Sequence, residues 1–264
     1  MKAARSAAWV SAVTAALSLL PAGPLSGQLE DPLSAQGDGV VRMTYATRPG
    51  VRVCTSGIHR RDASSGTSAW RDGTERLCRE RTVEIEATMS GGRVRALNLL
   101  RLEETANGSV RDLGRVPVED AAAFLLSVAR EGEPGVAEEA IHAVVLADSV
   151  EVWPALLELA RDRERPGRVR KSALFWLGQE AAASVTADLV AAAADEGDEQ
   201  DIRDAAVFAL SQRPDAESVP ALMELAASAP APATRRSALF WLAQSEDPRV
   251  PDFFARLLRA PGGR

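Results

Sequence analysis

Two cysteines and two histidines are the whole stock of thiol and imidazole in a chain of 264 residues. That excludes a site needing three imidazole ligands, a di-iron cage fed by several His and Glu, and a four-cysteine zinc site. Cys54 and Cys78 flank a Gly/Ser-rich loop of mixed charge, HRRDASSGTSAWRDGTERL, with little in it to pack. Across such a loop an even pair reads as a disulfide of an oxidising compartment, ahead of a metal pair or a catalytic thiol. Closing about 25 residues would be worth roughly 3.5 kcal/mol on the chain-entropy account. His59 and Trp70 share that loop, but no acid or nucleophile stands at a spacing that makes a catalytic arrangement with them. A solvated His and a Trp folded back onto a sheet account for them. There is no GxSxG elbow, no phosphate-cradling glycine loop and no HExxH. The expectation is a protein without catalytic residues, metal ligands or cofactor, and so not an enzyme.

The elements around these residues divide along the chain. Residues 1–27 open with Lys2 and Arg5, run apolar from Ala7 to Leu20, and exit through Pro21, Gly23 and Pro24. This is the pattern of a cleaved signal peptide, too short to span a bilayer in comfort, and it predicts a periplasmic or secreted protein with no stable membrane insertion after cleavage. The net charge of −6 becomes more negative once Lys2 and Arg5 are gone, which discourages a nucleic-acid partner. Residues 28–39 read as a linker. Residues 40–112 read as a small β segment: Val41, Met43 and Tyr45 alternate with polar neighbours, Val51–Cys54 is extended, and Val83, Ile85 and Ala87 alternate ahead of a Ser90-Gly91-Gly92-Arg93 hairpin turn.

From residue 113 to 264 the sequence repeats. AIHAVVLAD (140–148), ALFWLGQEA (173–181), AVFALSQRP (206–214) and ALFWLAQSE (238–246) align without gaps, their third positions His142, Phe175, Phe208 and Phe240 being 33, 33 and 32 residues apart. Between them lie VWPALLELA (152–160), VTADLVAAA (185–193), VPALMELAA (219–227) and VPDFFARLL (250–258), with Pro154, Thr186, Pro220 and Pro251 in equivalent places. Proline is tolerated in a helix's first turn, and Asp148, Asp215 and Asp247 just before are placed to cap the helix that follows. The unit is a helix pair that cannot bury its apolar face alone, so the pairs must stack. VPVEDAAAFLLSVAREG (116–132) is expected to cap one end, and Phe253, Phe254, Leu257 and Leu258 to finish the core at the other.

These motifs resemble HEAT repeats of the short, phycobilisome-lyase-like type, and LFWLGQ, VFALSQ and LFWLAQ, each followed by a helix opening VT or VP, resemble those of exported bacterial HEAT-repeat proteins. The resemblance implies a mainly α fold, an α-solenoid of about four HEAT-like helix pairs preceded by a small antiparallel β segment. It implies a non-catalytic scaffold binding a protein or peptide partner. Alternatives are a lyase-like enzyme or enzyme accessory, or a regulatory subunit of a periplasmic protease or sensor.

Several repeat positions are candidates for partner binding. Arg170, Arg203 and Arg235 each precede the repeat aromatic by five residues, where a cation opposes the helix dipole. Either they bond turn aspartates and carbonyls of neighbouring repeats, or with Arg168, Lys171 and Arg236 they form a basic ridge for an acidic partner. Trp176 and Trp241 follow the repeat Phe. Two adjacent aromatics cannot share one helix face, so one of each pair packs between repeats or lines a groove. Glu158, Arg161, Glu224 and Arg256 lie on the second helices, expected to line the inner curve. The run Asp195–Asp201 lacks a calcium-loop pattern and reads as a solvated loop that also caps a helix.

Overall fold

The computed structural model describes residues 38–54, 57–60, 78–100, 110–179 and 184–259. The expected signal segment, all but the end of the linker, and the loop holding Trp70 lie outside the described residues.

Seven strands come first: β1 (Gly39–Ala46), β2 (Val51–Cys54), β3 (Gly57–Arg60), β4 (Cys78–Glu80), β5 (Thr82–Ser90), β6 (Arg93–Leu100) and β7 (Val110–Arg115). They form a four-stranded sheet in the order β6-β5-β1-β7 and a three-stranded sheet in the order β3-β2-β4. The period-two patterns are realised as read, with Met43, Tyr45, Val83, Ile85 and Ala87 fully buried. The β5–β6 hairpin turns at Gly91 and Gly92, whose φ of 59° and 72° are the two positive values a two-residue turn of this twist requires. β7 runs parallel to β1, so the sheet is mixed rather than wholly antiparallel, and β7 passes residue 112, where the sequence placed the end of the β segment. On the sheet's other face Arg42 stands opposite Glu86 and bonds it from Nε at 3.0 Å and Nη2 at 2.6 Å.

Nine helices follow among the described residues. α1 (Val118–Glu131) precedes four pairs: α2 (Pro134–Val144) with α3 (Trp153–Arg161), α4 (Gly167–Gly178) with α5 (Ser184–Ala194), α6 (Gln200–Ser211) with α7 (Asp215–Ser228), and α8 (Pro232–Leu242) with α9 (Arg249–Arg259). Ala140, Ala173, Ala206 and Ala238 are fully buried where first helices meet. The first helices pack more closely on one another than the second helices do. At Gly178 the approach is closest: a Cβ there would lie 2.6 Å from the Ala209 carbonyl oxygen of α6.

Helix starts differ from expectation in two respects. Pro154 and Pro251 do fall in a first turn, but Pro220 sits inside α7, which begins at Asp215 after Pro214. The extra turn is held by Arg213, whose Nη2 bonds Glu217 at 2.6 Å, and by Asp215 and Glu217 against the dipole. Of the three aspartates only Asp247 accepts from the backbone at a helix start, from the Arg249 N–H at 2.9 Å; Asp215 is already helical, and α3 has no side-chain cap.

Sheet and helices share one core. The Tyr45 hydroxyl donates to the Ala143 carbonyl at 2.7 Å, Thr47 pairs with Ala147 as an isolated antiparallel bridge, and Arg48 N–H and Asp148 N–H reach the Leu146 and Ala46 carbonyls at 2.9 and 3.1 Å.

Candidate functional site: an aromatic ladder on the first helices

Along α4, Ala173, Leu174 and Leu177 face the core, which turns Phe175 outward and leaves Trp176 at the flank. The same happens on α8 with Phe240 and Trp241. Adjacent helical residues diverge by about 100°, so each Phe–Trp pair meets edge to face, at 5.1 Å and 78° in α4 and 5.1 Å and 81° in α8. Trp176 stacks on His142 of the preceding pair at 5.3 Å; Phe175 stacks on Phe208 of the next at 6.3 Å; Phe208 meets Trp241 at 5.1 Å. Six rings thus run without a break across four helix pairs. The tryptophans are half-buried between pairs, while Phe175 and Phe240 are 37% and 57% exposed. The outward aromatic contact therefore falls to the phenylalanines, with the tryptophans packing beneath them.

The ladder has two borders. One to two turns toward the helix N-termini, Arg168 of α4 pairs with Glu138 of α2, the Nη2 bond being 3.0 Å, and Lys171 of α4 pairs with Asp201 of α6 at 2.7 Å. These contacts raise the Arg168 guanidinium and lower the Asp201 carboxyl from their ordinary pKa values, each chiefly through the hydrogen bond to its partner. One turn the other way, Gln179, Gln212 and Gln244 recur at repeat spacing. Burial pushes the His142 imidazole below its usual range against the opposing charge of Glu139, so the ladder's first ring is neutral at pH 7.

The arginine row lies elsewhere. Arg170 is 4% exposed; its Nε bonds the Ala160 carbonyl at 2.9 Å and its fork takes both oxygens of Asp198, the Nη1 bond being 2.8 Å. Arg203 bonds the Asp195 and Asp198 carbonyls and Gln200, and Arg235 bonds the Ala229 and Pro230 carbonyls at 2.5 and 2.9 Å. Each cation thus serves chain that leaves the preceding second helix, where carbonyls carry the negative end of the dipole, and this offsets its place at a helix N-terminus. Arg170 is spent inside the array and cannot belong to a basic ridge. The acidic run supplies its counter-charges: Asp195 takes Arg163 at 2.7 Å, Asp198 takes Arg170 and Asp201 takes Lys171.

Glu158, Arg161, Glu224 and Arg256 are exposed on the second-helix layer, apart from the ladder. Arg161 bonds Asp188 of the next pair at 2.8 Å, and Glu158 approaches Arg130 of α1 at 3.5 Å. Sequence reasoning missed Arg213, whose 1% exposed side chain bonds Thr186 at 3.2 Å and Glu217 at 2.6 Å, and Arg165, which bonds the Gly132 carbonyl at 2.8 Å. Among the described residues no group of three or more His, Cys, Asp or Glu could hold a metal ion, and no helix is long and apolar enough to cross a membrane.

The stacked helix pairs have a counterpart among known families: residues 163–243 and 186–263 match the family model for HEAT repeats. Residues 163–263 form a HEAT-like helical repeat region. The match covers α4 to α9, and the α2–α3 pair before it packs on the same stack through the His142–Trp176 contact. No curated protein matches the chain. HEAT repeats are commonly protein-binding scaffolds, and the fold is typically non-catalytic.

Proposed function

We propose that this protein is a non-catalytic binding module that works outside the cytoplasm and holds a protein or peptide on the first-helix face of its HEAT repeats. The exposed aromatic ladder carries this reading. Phe175 and Phe240 together expose about one phenyl side chain, and covering that much apolar surface is worth roughly 1.5–3 kcal/mol. Exposed aromatics standing out from a ladder of rings that crosses several repeats are what a partner's anchor residues use. A displayed random-peptide library panned on the full chain tests it. The reading expects enriched peptides that no longer bind Phe175→Ala/Phe240→Ala; enrichment of nothing, or of peptides indifferent to that change, overturns it.

Export and the disulfide belong to the same proposal. The β2–β4 register sets Cys54 directly opposite Cys78, and cross-strand partners have Cα atoms about 4.5–5.5 Å apart, inside the range a disulfide spans. Thiol titration of the denatured protein, before and after reduction, should give none and then two; two thiols before reduction would refute the pairing.

A further inference from the structure

We propose that two copies of this chain pair through the trailing end of the stack, α8 on α8 and α9 on α9, about a two-fold axis normal to the helix layers. The repeat itself shows what that end lacks. In α4 the stripe Lys171, Phe175 and Gly178 receives the next first helix: Lys171 pairs with Asp201 at 2.7 Å, Phe175 stacks on Phe208 at 6.3 Å, and Gly178 closes on the Ala209 backbone. The same stripe on α8 is Arg236, Phe240 and Ala243, each 65 residues further on. There all three are exposed, and Leu239 is only half-buried where Leu174 is fully covered. α9 is bare as well: it buries Val250 alone, and Leu257 and Leu258, 37% and 86% exposed, stand where α7 has Ala226 and Ala227. An end unit of a repeat array needs a polar outer face to remain uncovered. This one carries Phe240, Leu257 and Leu258.

The occupant is a second copy because the free charges are ordered for one. On α8 the base comes first, Arg236 about 6 Å along the helix before Phe240, and the acid Glu246 follows in the turn beyond. On α9 the order is reversed, with Asp252 in the first turn and Arg256 and Arg259 in the last. All five are exposed, and none has a hydrogen-bond or ion-pair partner among the described residues. Laid antiparallel on its own copy, each helix brings opposite signs together, Arg236 to the partner's Glu246 and Asp252 to the partner's arginines; laid parallel, it brings like signs together. The leading end offers no rival surface, since α2 packs against α1 and β6 and buries Val136, Ala137, Ala140, Ile141 and Val144. Pairing through trailing ends is therefore isologous and closes at two. First helices then meet first helices, so the two ladders join into one face, on which Phe240 gains the kind of neighbour that Phe208 is to Phe175 and keeps an exposure like the 37% of Phe175. The pairing stands whether or not the ladder binds a peptide.

Sedimentation velocity of the full chain over a range of about 1 to 300 µM reads the pairing. Two 11-residue helices make a face about 16 Å long and about 20 Å wide, at the small end for a specific interface, so a reversible monomer–dimer equilibrium in roughly the micromolar range is expected. Leu258→Glu should raise the dissociation constant about tenfold or more. Arg236→Glu and Glu246→Arg should each weaken pairing as well, and the double exchange should restore it, because each crossing pair is rebuilt with its signs swapped. Amide exchange in α8 and α9 should slow as concentration rises, in the parent and the double exchange but not in Leu258→Glu. All three substituted side chains are exposed, so circular dichroism of each variant should match the parent. A chain that stays monomeric throughout, its end then free for a different protein, would overturn the proposal. So would a dimer indifferent to Leu258→Glu, a double exchange that restores nothing, or growth beyond dimers.

Discussion

Replacing Arg170 by Met should unfold the array far more readily than replacing its neighbour Arg168, although both guanidinium groups hold a carboxylate of the adjacent pair. The side chains of Arg170 and Asp198 are 5% and 10% exposed, against 60% and 28% for Arg168 and Glu138. Without Arg170 the Asp198 carboxylate keeps only the Glu199 N–H, at 2.9 Å, and the Ala160 carbonyl loses its guanidinium partner. Stranding a buried charge in this way costs about 3–5 kcal/mol, whereas an exposed pair is worth about 0–1 kcal/mol. Arg170→Met/Asp198→Asn, which removes both charges, should cost less than the two single changes added together, with a coupling of about 2–3 kcal/mol. Arg170 also holds the Asp198 carboxyl below the usual carboxylate range, chiefly through its hydrogen bonds. The unfolded chain therefore takes the proton first: this stabilisation is complete above about pH 4 and fades as pH falls below it, a slope that Arg170→Met should abolish. Urea midpoints in 0.1 and 1 M NaCl at several pH values measure all of this, since salt should erase the Arg168 effect and leave that of Arg170. An Arg170→Met cost below about 1 kcal/mol, or additive single changes, would refute the account.

Gly178→Ala should lower the melting temperature despite alanine's helix propensity of about 1 kcal/mol over glycine, because the new Cβ meets backbone atoms of Ala209 at 2.6 and 3.0 Å; a net loss of about 1–3 kcal/mol is expected, and a gain would mean the first helices are not in contact there. His142, held neutral by burial against Trp176, should make the protein less stable as pH falls below about 6.5, where the unfolded chain binds the proton first; His142→Phe should show a smaller loss between pH 8 and pH 5, and an unchanged difference would remove His142 from the ladder's core. Tyr45→Phe deletes the bond to the Ala143 carbonyl, which still accepts the Leu146 N–H at 3.2 Å, so a loss of about 0.5–1.5 kcal/mol in urea titration is expected rather than the larger cost of an orphaned group.

The repeats were legible because stacking imposes one pattern four times: alanine where first helices meet, an aromatic two residues on, and a second apolar segment after the turn. β1 and β5 were legible for the same reason at period two. The parallel pairing of β1 with β7 left no local mark, since it joins segments some seventy residues apart and its edge strand buries no residue fully. Charge signs alone made Arg168 and Arg170 look alike, yet Arg170 stands three, four and seven residues before Ala173, Leu174 and Leu177, on the face they bury, and that spacing is in the sequence. The roles of Phe175 and Trp176 needed the neighbouring helices: either could have turned outward until His142 and Phe208 filled the space beside them. Arg213 was hidden because Thr186, one of its partners, lies a repeat away.

The seam at Tyr45, Thr47 and Arg48 makes the stack unequal at its two ends. A repeat array opens from its termini, each unit being held only by its neighbours. Here the leading end is sealed by a sheet that shares hydrogen bonds with the loop after α2, while the trailing helix α9 leaves Leu258 86% exposed. Amide exchange should therefore be fastest in α9 and slow progressively toward Ala143, and losing the sheet would cost the first pair as well. Phe240 stands next to the end that frays and His142 beside the end that does not. Anything lying along the whole ladder would act as a latch, tying the loose end of the stack to the fixed one.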